Sequence, residues 1–471
     1  MHSICEKSIA IFAILILSIS FVLRSESILQ TVEAAGSDWQ DLGRQVLAQN
    51  DGWGSAEGGT TGGAKATSDH IFTVTSRQEL VRALSGDTAP KIIFIKGIIN
   101  GNEDDAGKPL ACTDYDTDGY SLNTYLKTYD PAVFGRTNVP SGPVETARKA
   151  SSRKQGAHVR INIPSNTTLI GDQSGARVIG ANFMLQGVEN VIIRNIQFEN
   201  ASDCFPQWDP TDLNPFNGAL GGWNSLYDNM SILGDSKHVW IDHNAFSDVG
   251  KLDSQQPSYF DRVYEQHDGE LDITKGADLI TVSWNRFSEH DKTVLIGSSD
   301  KLTSDAGKLR VTLHHNAFIN IIQRAPRVRY GQVHIYNNYN NEVANRSFVP
   351  ALGSYALGVG IASKIFAQSN YYELPTGVTA ASVIAVVKGT AIHTESDMFN
   401  KKPTDLLAAY NSAHSTAPLS GDVGWTPTFH TQIDPVQCVP SLVPRNAGVS
   451  STITVLQNSG GNVSPTTCAA K

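Results

Sequence analysis

Hydrophobic positions along this chain gather into short, nearly unbroken runs, and the same run returns several times. Compare VIIRNIQF (Val191 to Phe198), VWIDHNAF (Val239 to Phe246), ITVSWNRF (Ile280 to Phe287) and VTLHHNAF (Val311 to Phe318). Each joins a β-rich stretch to a polar, asparagine-bearing corner and then to a phenylalanine. Looser copies follow in VHIYNNY (Val333 to Tyr339) and KIFAQSNYY (Lys364 to Tyr372). The phenylalanines stand 48, 41 and 31 residues apart, so the unit repeats without a fixed period and loops of changing length must be inserted between strands. Strands stacked in register would place the phenylalanines inside and the corner asparagines in hydrogen-bonded rows. The pattern predicts an all-β chain, a right-handed parallel β-helix with long inserted loops. An antiparallel sandwich has no reason to repeat the same corner and aromatic.

Outside the repeat the predicted elements are few. In TSRQELVRAL, Ser76 and Glu79 fit a capping box, and Leu80, Val81, Ala83 and Leu84 make one apolar helical face, which predicts a short N-terminal helix. Lys91 to Ile99 reads as one buried strand. Residues 100–160 are polar, punctuated by Gly and Pro and tyrosine-bearing, and read as long excursions rather than core. Beyond Asn446 the chain turns rich in Ser, Thr and Asn, a tail expected to pack outside or to be partly disordered.

Composition adds a compartment. Lys7, the apolar run Ser8 to Leu23 and the small residues Ala34, Ala35 and Gly36 follow the layout of a secretory signal peptide. The expected organisation is therefore a signal over 1–35, a β-helix domain over 36–446 and a tail over 447–471, in a secreted, extracellular monomer with no membrane contact after cleavage. Cys5 leaves with the signal. Cys112, Cys204, Cys438 and Cys468 then allow three pairings, among which sequence does not choose, and they lack metal-site spacing. A formal charge of −9 is unsuited to a phosphate backbone, and no nucleic-acid partner is expected.

Against that acidic background, QRAPRVRYG packs Arg324, Arg327 and Arg329 into six positions. Pro326 makes an uninterrupted strand unexpected there. A bend at Ala325 and Pro326 would bring Arg324 and Arg329 to one cleft and leave Arg327 as the structural member. Upstream, Asp268 and Asp272 stand four apart, and Asp228 belongs to an earlier coil; hard oxygen ligands gathered this way suit calcium. The run Asp114 to Gly119 imitates an EF-hand loop, but Tyr125 occupies the twelfth position where a glutamate is needed, so a polar turn is the expectation. His243, His290, His314 and His315 lack zinc spacing and are expected to make structural hydrogen bonds, the last two facing opposite ways along a strand.

These residues carry a resemblance. VWIDH (Val239 to His243) and the Arg-x-Pro-x-x-Arg of Arg324, Pro326 and Arg329 are similar to the two signatures of pectate lyases, polysaccharide lyase family one, of bacterial extracellular type. The likeness continues through NDGWG, FPQWDP, HDGELD, HDKTVLIGSSD and VGWTP, over roughly residues 38–430. It implies a calcium-dependent enzyme that cleaves polygalacturonate of plant cell walls by β-elimination. Carried over, it places calcium on Asp228, Asp268 and Asp272, the catalytic base on Arg324 and substrate carboxylates on Lys292 and Arg329, with VWIDH chiefly structural. An arginine base is chemically demanding, since its pKa lies above about 12. Calcium, Lys292, Arg327 and Arg329 would all disfavour its charge, and Lys292 is the alternative base. A glycan on Asn229 would crowd Asp228, so that sequon is expected to be unmodified, which suits a bacterial source. The rival functions are a pectin lyase acting on methyl-esterified polymer without calcium and a non-catalytic pectin-binding β-helix.

Overall fold

The computed structural model describes residues 39–213, 218–343, 354–430, 432–452 and 456. The expected signal segment and most of the expected tail lie outside them. The chain winds as a right-handed parallel β-helix whose coils feed three stacked sheets of ten, eight and ten strands. The repeated runs form the first sheet. Val191, Val239, Ile280, Val311, Val333, Ile365 and Ile392 lie one above another, each fully buried. The outward row of that sheet is covered too. Gly54 N donates to Thr281 Oγ1 and Trp53 N to Thr312 Oγ1, both at 3.0 Å, so the segment containing NDGWG straps across the strands. Parallel strands buried on both faces read as continuous hydrophobic runs rather than alternations, which is why these did.

The corner after each run has a fixed chemistry. His243, Trp284, His315, Asn337 and Ser369 all take positive φ, between 51° and 55°, and turn the strand out of the first sheet. The next residue is then Asn244, Asn285, Asn316, Asn338 or Asn370. Each Oδ1 accepts the backbone N–H of the residue at the same place one coil earlier, at 2.9–3.1 Å, and each Nδ2 donates to a carbonyl of that earlier coil, at 2.9–3.0 Å. One ladder thus satisfies a column of backbone groups that the turn would leave orphaned, at about 1–3 kcal/mol for each one unmade. Phe198, Phe246, Phe287 and Phe318 stack inside at centroid spacings of 5.2, 4.9 and 5.0 Å. Asn340 interrupts the column in the following coil, and Tyr372 resumes it.

Several expectations change. Lys91 to Ile99 is two strands, Lys91–Ile95 and Ile98–Asn100, which belong to different sheets because Gly97 turns the chain at φ 71°. The short helix is present at Arg77–Leu84, with Ser76 capping Glu79 N, but Val81 is exposed and only Leu80, Ala83 and Leu84 are buried. Residues 100–160 are an excursion with a core of its own. It includes the helices Leu122–Thr128 and Pro143–Val159, and Tyr115, Tyr120, Tyr125 and Tyr129 cluster with Phe205, Trp208, Trp223 and Tyr264. Cys112 and Cys204 are disulfide-bonded and pin this excursion to the coil, and Cys438 is disulfide-bonded as well. Asp114 lies in the short 3-10 helix Cys112–Tyr115, accepting from Ala111 N, and the run ends in a turn at Asp118 and Gly119. His314 and His315 do not face apart. The left-handed φ of His315 ends the strand between them, and their Nδ1 atoms lie 2.9 Å from each other. The first residues of the tail pack outside, where Ser450 N donates to Asn195 Oδ1 and Arg194 Nη2 to the Leu456 carbonyl.

The ladder ends on an acid. Asp397 Oδ1 takes the Asn370 N–H at 2.8 Å, while its Oδ2 is buried without a partner. Burial lifts its carboxyl to about 7. With the folded value raised, the stability this group confers is complete below the ordinary value near 3.8 and is lost as pH rises through about 7. Asp397→Asn is therefore expected to raise the unfolding free energy measured in urea at pH 8, by on the order of 2–4 kcal/mol, and much less at pH 4. Equal shifts at both pH values would show that folding does not raise the carboxyl above its ordinary value.

Candidate active site

The eight-stranded sheet carries the chemistry. Its strands Met230–Leu233, Gly269–Ile273, Lys292–Ile296 and Arg327–Val328 are consecutive neighbours, and Ser231, Asp272, Leu295 and Arg327 share one row. Leu271, Ile273, Val294, Ile296 and Val328 fill the core, so Asp272 and Arg327, one residue out of phase, point away from it. Residues distant in sequence become neighbours by stacking alone.

The aspartates converge on a glycine. Asp228 Oδ1 accepts from Gly269 N at 2.9 Å, and its Oδ2 accepts from Ser231 Oγ at 2.6 Å. A Cβ placed on Gly269 would stand 2.7 Å from Asp272 Oδ1 and 2.8 Å from Asp228 Oδ1, so only glycine leaves that space open. Asp272 Oδ1 is buried with no hydrogen-bond partner. Burial first, then the charge of Asp268, raises Asp228 to about 7. Asp272 is raised well above its ordinary value by burial and by Asp228 and Asp268. Three carboxyl groups this close cannot all be ionised without a counter-charge. An oxygen-only donor set with an orphaned carboxylate oxygen and an open cradle fits a hard divalent cation such as calcium. The sequence carries a signal for Gly269 in its place between Asp268 and Asp272 in HDGELD.

Beside the acids lie the cations. The residues Lys292 and Gln323 pair across the sheet, as do Leu295 and Arg327, so three steps on one strand face four on the next. The extra residue is a β-bulge. Arg324 sits in it with φ 68°, followed by a cis Ala325–Pro326 bond, and this is the bend expected from the proline. It aims the side chains differently from the expectation. Arg324, Arg327 and Lys292 line a cleft of about 440 Å³ together with Asp268. Arg329 is held to one side, its Nε on Asp300 Oδ1 at 2.8 Å and its Nη1 on the Gly297 carbonyl at 2.8 Å, although its charge still acts on Asp272. Arg327 forms no salt bridge among the described residues, and burial together with Arg329 and Arg324 pushes it below its ordinary value.

Electrostatics at the two candidate bases run upward in the metal-free chain. Burial opposes the charge of Arg324, but Tyr355, Asp272, Asp268 and Asp291 outweigh it and raise the guanidinium. Burial likewise opposes the Lys292 ammonium, which Glu265, Asp268 and Asp291 raise; Glu265 Oε2 accepts from Lys292 Nζ at 2.9 Å. Glu265 was not legible in sequence. It belongs, with Ser258, Asp261 and Arg262, to an excursion that also lines the cleft.

A second group of ionisable side chains is buried near the aspartates. Asp248, Glu270 and His290 each bring a ligand atom within 4.8 Å of the others. His290 Nδ1 lies 2.5 Å from Asp248 Oδ2, and its Nε2 lies 2.9 Å from the Asp268 carbonyl. Burial works against its charge, yet Asp248 and Glu270 hold it up at about 10. Structural hydrogen bonding is thus the role of His290, and also of His243 on Asp242 and His315 on Asp434. Asn229 is buried, its Nδ2 donating to Glu270 Oε2 at 3.0 Å and its Oδ1 accepting from Ala201 N, which leaves no room for a glycan. VWIDH is buried structure: Asp242 pairs with Arg194, His243 and Ser283, and the Arg194 guanidinium lies 4.4 Å over Trp240.

Comparison with known proteins identifies the family. The pectate lyase family model matches residues 40–117 and 140–452. A pectate lyase of Bacillus subtilis is 48% identical over 417 residues, covering 88% of this chain and 95% of that protein. Among solved structures, an arginine-to-lysine variant of a Bacillus subtilis pectate lyase superposes with a TM-score of 0.80 at 46% identity, covering 87% of this chain and 99% of that one. A thermostable pectate lyase gives a TM-score of 0.81 at 42% identity, covering 87% of this chain and 99% of that one. The chain belongs to the pectate lyase family of polysaccharide lyases.

Proposed function

We propose that this protein is a secreted, calcium-dependent pectate lyase, acting as a monomer, that cleaves α-1,4-linked polygalacturonate by β-elimination to 4,5-unsaturated oligogalacturonides. The observation that carries the reading is the crowding of Asp228, buried, with the half-buried Asp268 and Asp272, beside a cleft lined by Arg327, which forms no salt bridge among the described residues. A related structure, a pectate lyase with a hexasaccharide bound, agrees with an extended uronate substrate. Among the described residues no helix is long and apolar enough to cross a membrane.

In the proposed mechanism Asp228, Asp268 and Asp272 hold calcium. The bound ion supplies positive charge for the substrate carboxylate and for the carbanion character that develops beside it. Lys292 and Arg329 bind carboxylates of the polymer and orient it. Arg324 removes the C5 proton, whose electrons form the C4–C5 double bond as the C4–O bond breaks; the departing oxygen takes up a proton. For this step Arg324 must be neutral. Tyr355, Asp272, Asp268 and Asp291 favour its charge, and Lys292 and Arg327 oppose it; Asp268 and Asp272 would favour it less when engaged as ligands. Lys292 is less suited to the task, because Glu265 keeps its ammonium charged.

Polygalacturonate is expected to yield an ultraviolet-absorbing product whose formation stops with chelator, resumes with calcium and rises into alkaline pH. Chelator-resistant cleavage of methyl-esterified polymer would favour a pectin lyase. Arg324→Ala is expected to lower kcat by about 10²–10⁴. Near-normal turnover in Arg324→Ala, with Lys292→Ala inactive yet still binding substrate, would move the base to Lys292. Gly269→Ala is expected to weaken calcium binding at least about tenfold, as its methyl meets two ligand oxygens; unchanged affinity by calorimetry would place the ion elsewhere.

A further inference from the structure

The cleft wall is an excursion that leaves the coil after the strand Ala245–Ser247 and returns to it at the strand Gly269–Ile273. Its two ends are Asp248 and Asp268. His290, from the corner between Arg286–Ser288 and Lys292–Ile296 in the next coil, reaches both of them: Nδ1 meets the Asp248 carboxylate and Nε2 meets the Asp268 carbonyl. Both partners are acceptors, so both ring nitrogens carry hydrogens. No lone pair remains for a metal, and the trio of Asp248, Glu270 and His290 is a hydrogen-bonded clasp rather than a second cation site.

The clasp sits where the site has its tightest positional demand. Asp268 precedes the glycine on which Asp228 and Asp272 converge, and a shift of its carbonyl would rotate its carboxylate out of the set. Two residues beyond His290 stands Lys292, held on Glu265 of the wall. Within the wall, Asp253 Oδ1 accepts from Gln266 N and faces His267 Nδ1, both at 2.9 Å, so the excursion is closed on itself before it meets the clasp. From these contacts we infer that His290 is a positioning residue, which fixes the backbone of Asp268 across a coil and thereby sets the calcium affinity of the three aspartates. The inference rests on the calcium reading above.

Two carboxamides separate the two bonds. The amide nitrogen of asparagine falls near Nδ1 of histidine and that of glutamine near Nε2, so His290→Asn keeps the Asp248 contact and His290→Gln keeps the Asp268 contact. Calcium affinity is measured by titration calorimetry on the full mature chain, with Asp272→Asn as the control that removes a ligand and circular dichroism as the check of folding. His290→Asn is expected to bind calcium 10–100-fold more weakly and to recover kcat at saturating calcium, whereas His290→Gln stays within about threefold of the parent. Equal affinities in the two variants, whether both intact or both weakened, would overturn the inference. So would a kcat in His290→Asn that saturating calcium does not restore. If His290→Asn does not fold, His290→Gln decides alone: affinity within threefold supports the clasp, and a tenfold loss refutes it. Absence of calcium binding by the parent chain is a different failure, which removes the calcium reading and this inference with it.

Discussion

In-register parallel stacking is the constraint on which the rest of this molecule depends. Each coil leaves its backbone groups to the next, and a slip of one residue would turn a strand's core row outward. The asparagine ladder opposes such a slip, because each Oδ1 finds the N–H of one defined position in the neighbouring coil. With register fixed at that corner, the opposite sheet inherits it. That inheritance places Asp272 beside Ser231 and Lys292 beside Gly269, across sequence gaps that carry no local instruction.

The site is built from conflict that stacking makes unavoidable. Asp228, Asp268 and Asp272 belong to two coils and are pressed together with an open glycine between them, while the cations nearby are mostly engaged: Lys292 on Glu265 and Arg329 on Asp300. Burial and mutual repulsion raise Asp228 and Asp272, while Tyr355 and the nearby carboxylates favour the charged form of Arg324. In the proposed reading a divalent cation would relieve this crowding, and the carboxylates that would hold it are among the groups whose charge acts on Arg324.

Much of this was legible because the repeat writes stacking into the sequence directly. The run, corner and phenylalanine of VWIDHNAF and its relatives predict the fold, and the Asp and Arg motifs supply the candidate site through a family resemblance. What was not legible depends on contacts between coils or on excursions. Val81 matched a helical face but faces solvent, since the helix meets the barrel through a narrower stripe. The aromatic core of residues 100–160 carries no periodicity. The bend at Ala325 and Pro326 was legible from the proline, but not which side chains it turns toward the cleft: Arg327 lines it beside Arg324. Glu265 and the His290 clasp have no sequence signal, as each acts on a residue in another coil.

The most direct test of the central claim is a crystal structure of the mature chain with calcium and a uronate oligosaccharide. A cation held by oxygens of Asp228, Asp268 and Asp272 at about 2.3–2.6 Å, with a sugar C5 facing Arg324, is the predicted result. A cation held instead by Asp248, Glu270 and His290, or a substrate lying away from Arg324, would contradict it.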